Sequence, residues 1–141
     1  MTAPDDILGG FVLDASALEQ LAGANIYATT WADRAAVRGI VLLIPAAALS
    51  EAWQRAVDAD PDSSELLREL LSSPMVVIEP LDELAAAATG ELFIGLHLPP
   101  DISAAQVVIS ARDRDWPVLA AEPSRLLAIE PHLDVETLPG T

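Results

Sequence analysis

The chain has 141 residues, room for one domain with a real core, and no cysteine, which excludes disulfides and thiolate metal sites. Seven basic residues stand against 22 acidic ones, for a net charge of −15, and every basic residue is an arginine. A field this negative repels nucleic acid, whose binding depends on neutralising phosphates, unless bound metal ions reverse the local sign.

The opening MTAPDDILGG is acidic and lacks a long apolar core, so it does not read as a signal peptide. The longest uncharged apolar run, Gly39 to Leu49, is too short to span a bilayer. Together these predict a soluble cytoplasmic protein without a membrane partner. No repeat or long linker breaks the chain, so residues 1–141 are expected to form a single domain.

In chain order, residues 9–13 predict a first buried strand. Asp14 follows it, and Ser16-Ala17-Leu18-Glu19 has the form of a capping box opening a helix over 16–23. Asp14 then either sits free in the strand-to-helix turn or caps the helix itself. A second helix is predicted over 26–38 and a second strand over 41–44. Pro45 suits the first turn of a helix running to about Asp58, with Leu49, Trp53 and Val57 on one face. After a loop at 58–65 come a helix over 64–72, a strand over 75–78 and a helix over 82–96 that "HLPP" breaks. Ser103-Ala104-Ala105-Gln106 is a second capping box, opening a helix to about Arg114. A strand over 117–121, a helical turn at 123–128 and a short strand at 134–138 complete the chain. This alternation predicts a three-layer α/β/α domain on a mainly parallel sheet of four to five strands.

Asp14 after the first strand, Glu51 in the helix after the second and Glu122 after the fourth occupy positions that a parallel sheet brings to one edge. Clustered carboxylates need a compensating cation or shared protons. An all-oxygen set suits Mg²⁺ or Mn²⁺, which can activate water and stabilise a departing phosphodiester oxyanion. His97 and His132 lie far apart on predicted loops and read as structural or surface residues. There is no glycine-rich phosphate loop, and no lysine to partner Asp14 as a phospho-acceptor. Trp31, Trp53 and Trp116 read as core or interface residues, since no basic groove accompanies them.

The whole chain resembles a PIN domain, the fold of metal-dependent ribonucleases that includes toxins of VapBC-type toxin–antitoxin modules. The resemblance rests on "FVLDASAL", on "VLLIPAAALSEAWQRA" and on "ISAAQVVISARDRDWPVLAAEPSRL". It implies an endoribonuclease using Mg²⁺ or Mn²⁺ held by Asp14, Glu51, Glu122 and Asp101, with the Ser16 hydroxyl near the metal. RNA would be the substrate, with an antitoxin or another protein as partner and a homodimer as the assembly. Two positions depart from the family pattern. Its third acid falls on Ala104, with Asp101 three residues earlier, and the last acid is Glu122 where the family has Asp. These departures imply weakened metal binding, and with the charge they raise the alternative of a PIN-derived protein-binding or regulatory module. The alanine-rich helix at 82–96 and the helix at 26–38 are the expected interface elements.

Overall fold

The computed structural model describes residues 9–23 and 26–139. The N-terminal segment read above as lacking a signal peptide falls, for residues 1–8, outside the described residues. Among the described residues, five strands form one sheet: β1 (Gly10–Leu13), β2 (Val41–Pro45), β3 (Val76–Glu79), β4 (Val118–Ala120) and β5 (Val135–Thr137). Their spatial order is β3-β2-β1-β4-β5, and every pairing is parallel. The described residues also form seven helices that flank it: α1 (Ala15–Ala22), α2 (Ile26–Arg38), α3 (Ala46–Ala59), α4 (Ser63–Leu71), α5 (Glu83–Leu92), α6 (Ile102–Arg114) and α7 (Ser124–Ile129). This is a three-layer α/β/α arrangement with five strands. Among the described residues, no helix is long and apolar enough to cross a membrane.

Parallel strands covered on both faces read as continuous apolar runs. Accordingly Val12, Leu13, Leu42, Leu43, Ile44, Val118 and Leu119 are all buried. The helices meet the sheet mostly through small residues: Ala15 and Ala17 of α1, Ala48 and Ala52 of α3, and Ala104, Ala105 and Ala111 of α6. Small contact residues let helix axes approach closely, which absorbs much of the chain's large alanine content. Trp31 meets Phe11 edge-to-face at 4.6 Å between ring centroids, and Trp116 also packs on the main core. Trp53 joins a smaller cluster with Ala22, Ala56 and Leu67, under the Arg68 guanidinium.

Four local expectations are corrected. Helix α1 begins at Ala15 with Asp14 as its N-cap, the second of the two readings given above, so Ser16 lies inside the helix and no Ser16–Glu19 capping box forms. Helix α6 is capped by Asp101, whose carboxylate accepts the Ala104 N–H, so Ser103 is not its cap. In both cases an aspartate stands just ahead of the serine, and its ionised oxygen is the stronger acceptor for the helix N-terminus. Pro45 ends β2 and is the N-cap of α3, where it brings no capping side chain. Helix α5 stops at Leu92, four residues short of the predicted end. Gly95 and His97, with φ of 84° and 56°, then turn the chain through left-handed conformations that no helix can accommodate.

Candidate functional site

The strand order reverses direction between β1 and β4, because the chain runs outward from β1 on both sides. The carboxyl ends of such a pair form the crevice where open α/β sheets bind ligands. Asp14 follows β1 there, and Glu122 lies just past β4. Glu51 enters from the second turn of α3, and Asp101 from the N-cap of α6.

The geometry gives each residue a definite task. Asp14 Oδ1 accepts the Ala17 N–H at 2.9 Å and the Ser16 hydroxyl at 2.7 Å. The Ser16 oxygen in turn accepts the N–H groups of Ala121 and Glu122 at 2.9 and 3.0 Å. Ser16 therefore staples the start of α1 to the loop after β4, across the mouth of the crevice. Its hydroxyl is committed to protein backbone. Asp14 is only 7% exposed. Burial pushes its carboxyl up to about 6, against the opposing pull of the Ala17 N–H, the Ser16 hydroxyl and the more distant Arg125.

Arg125, on the first turn of α7, occupies the middle of the remaining acids. Its Nη1 and Nη2 donate to the two Glu51 oxygens at 2.6 and 3.0 Å. Its Nε and Nη2 donate to the two Asp101 oxygens at 2.8 and 2.7 Å. Both carboxylates are held below their ordinary range, in each case chiefly by the bonds from Arg125. Glu51 gains further support from the Ser103 hydroxyl and from Arg55, whose guanidinium lies 3.0 Å away. The guanidinium of Arg125 is itself raised by the same two acids. Arg55 also reaches Glu19 at 3.7 Å, and burial raises the Glu19 carboxyl, with Glu51 and Glu122 adding repulsion. Seven charged groups thus share one electrostatic neighbourhood, five acidic and two basic.

Gln106 holds the scaffold under this cluster and is almost completely buried. Its oxygen accepts the Ala47 N–H, so α6 supplies the cap that Pro45 cannot give α3. Its amide donates to the carbonyls of Glu79 and Pro80 at the end of β3. The side chain of Glu79 is gripped by Ser110 and Arg114. These bonds fix α3 against α6, and hence Glu51 against Asp101.

The PIN resemblance of the sequence implies a divalent ion at this centre, and the donor set can be tested for one. Mg²⁺ takes near-octahedral oxygen ligands at about 2.1 Å. Both oxygens of Glu51 and of Asp101 already accept from guanidinium or backbone donors, and Asp14 spends Oδ1 on the Ala17 N–H and the Ser16 hydroxyl. Ala104 is buried and contributes only its N–H. Among the described residues, no group of three or more His, Asp or Glu is placed to hold a metal ion. As arranged, the residues do not fit a divalent ion.

Of the expected site residues, Asp14, Ser16, Glu51, Asp101 and Glu122 all reach this edge, with Glu122 at the exposed rim. Sequence reading missed Arg125, Arg55 and Ser103. Arg125 had a visible signal: it lies one helical turn beyond Glu122 in "EPSRL" of a chain with seven cations. A cleft of about 480 Å³ opens beside Asp101 and Arg125, walled by Phe93, Leu98, Pro99, Pro100, Ile102, Ala128 and Ile129. A larger one, about 590 Å³, lies at the opposite edge of the sheet between Gly10, Arg38, Ile40 and Trp116, away from the acidic cluster.

The chain is similar in fold to PAE2754 from Pyrobaculum aerophilum, known from its crystal structure. The match has 22% sequence identity and a TM-score of 0.59, and covers 92% of this chain and 84% of that one. At that identity the likeness speaks for the fold alone. The chain matches no protein-family model and no curated protein sequence.

Proposed function

We propose that this chain is a PIN-like domain whose acidic centre has become a structural element, and that it acts as a protein-binding or regulatory module. The observation that carries this reading is the pair of two-bond contacts from Arg125 to Glu51 and Asp101. A nuclease of this type needs those carboxylates free for a metal ion. Supporting observations are Ala104 where the family pattern has an acid, the commitment of Ser16 to backbone, and a net charge of −15 that opposes RNA. The PIN-like identity itself rests on the sequence resemblance, with which a parallel α/β sheet agrees.

The second reading is a Mg²⁺- or Mn²⁺-dependent endoribonuclease, including the toxin of a toxin–antitoxin pair, with RNA as substrate and an antitoxin as partner. What favours it is the gathering of Asp14, Glu51, Asp101 and Glu122 at the switch point of the sheet, where such chemistry would be done. Incubating the chain with single-stranded and hairpin RNA in millimolar Mn²⁺ separates the two. The module reading expects no cleavage above that of Glu51→Gln. Mn²⁺-dependent cleavage abolished by that substitution would establish the nuclease.

A cytoplasmic homodimer belongs to the same proposal. Helix α5 carries Leu84 at 83% exposed, and Ile94 just beyond it is 80% exposed. With like charges repelling, an apolar contact would strengthen as salt screens them. Sedimentation should therefore report a dimer that persists at high salt; a monomer at both low and high salt removes this part.

A further inference from the structure

We propose that Arg125 is the resident cation of the acidic centre: it stands where a divalent ion would have to bind and takes over that ion's task of holding Glu51 against Asp101. The inference deepens the module reading and rests on it. A metal ion at clustered carboxylates does two things: it neutralises their charge and ties together the elements that carry them. Arg125 does both. Four of its five N–H donors are used on two carboxylates, and those carboxylates come from different helices, α3 and α6. The planar fork matches paired carboxylate oxygens in a way a point charge cannot. Its placement is also supported from behind. Leu126, the next residue along α7, is buried in the main core and anchors the helix that presents the guanidinium. The remaining donors of the centre are complementary to this arrangement. Arg55 adds a contact to Glu51 at 3.0 Å and the Ala104 N–H adds one to Asp101, so each oxygen of the two acids has a donor from the protein.

The test compares the thermal midpoint of the full chain with those of Arg125→Gln, Arg125→Lys and the double variant Arg125→Gln/Glu51→Gln, in EDTA and in millimolar Mn²⁺. The natural chain is expected to shift by less than about 1 °C on adding Mn²⁺, since Glu51 and Asp101 are both bonded to Arg125. Arg125→Gln should melt about 5 °C lower in EDTA and recover several degrees in Mn²⁺. The double variant should not recover, which separates binding at the centre from diffuse attraction of Mn²⁺ to an acidic protein. Arg125→Lys keeps the charge and loses the fork; it should fold and respond to Mn²⁺ more than the natural chain and less than Arg125→Gln. A response of Arg125→Gln no larger than that of the natural chain overturns the proposal. So does a rise in the natural chain that Glu51→Gln removes, because the metal would then be binding with Arg125 present. Glu51-dependent Mn²⁺ binding by the natural chain without RNA cleavage defeats this inference and leaves the module reading, whereas RNA cleavage in EDTA by a natural chain indifferent to Mn²⁺ defeats the module reading and leaves Arg125 as the cation of the centre.

Discussion

Replacing Asp14 by Asn should stabilise the protein at neutral pH, and the gain should vanish in mild acid. Asp14 is buried, and its carboxyl titrates near 6 in the folded state against an ordinary 3.8. Between those values the folded chain holds a proton that the unfolded chain has released, so its stability falls as pH rises from about 4 to 6. A shift of roughly two units corresponds to about 3 kcal/mol lost by pH 7. Asparagine never ionises, yet its side-chain oxygen can still accept the Ala17 N–H and the Ser16 hydroxyl that Oδ1 accepts. Its NH₂ replaces the other carboxylate oxygen and needs a partner, which returns about 1–2 kcal/mol of the gain. The expected net effect is about 1–2 kcal/mol of added stability at pH 7.5 relative to the natural chain. Urea unfolding of both proteins in EDTA, at half-unit steps from pH 4 to pH 8, measures the difference directly. The gap should be most favourable to Asn above pH 7, shrink through pH 5 and turn against it near pH 4. Reading the difference between two proteins cancels Glu19, Glu51 and Asp101, which titrate in both. A gap that stays constant across that range would refute the reasoning, since it would mean that Asp14 ionises in the fold without cost.

Three further substitutions test the scaffold, two of them around the site. Ser16→Ala removes the acceptor of the Ala121 and Glu122 N–H groups and a donor to Asp14, and should cost about 1–3 kcal/mol in urea unfolding. Nuclear magnetic resonance titration of the same variant should place the Asp14 carboxyl above its present value, because one bond to the charged form is lost. Gln106→Leu keeps the volume but strands the Ala47 N–H and the carbonyls of Glu79 and Pro80; a loss of about 2–4 kcal/mol is expected, with faster amide exchange at Ala47. Gly10→Ala would put a methyl 2.7 Å from both the Trp116 ring and the Val41 carbonyl oxygen, so the urea midpoint should fall by an amount equivalent to about 1–3 kcal/mol. A wild-type midpoint for Gly10→Ala would show that both the Trp116 ring and the β2 backbone at Val41 yield freely.

The element order was legible in the residues because it depends on local patterns. Phe11-Val12-Leu13, Leu42-Leu43-Ile44 and Val118-Leu119 are continuous apolar runs, which in a chain alternating with helices mean buried parallel strands. That alternation also allowed residues far apart in the chain, from Asp14 to Glu122, to be placed at one sheet edge. Capping was less legible, because Asp14 and Ser16, or Asp101 and Ser103, offer competing caps two residues apart. The choice between them depends on what else each oxygen can reach. Ser16 is claimed by the Ala121 and Glu122 N–H groups more than a hundred residues away, and no local pattern records that. The same holds for Gln106, which reads as a polar residue in a helix and turns out to bind the ends of β3 and α3. Only the tertiary structure decided what fills the acidic centre. Asp14, Glu51, Asp101 and Glu122 announce a need for positive charge, but not whether a metal ion or a side chain meets it. That depends on α7 turning Arg125 inward over a buried Leu126, a consequence of packing rather than of any residue's own propensity.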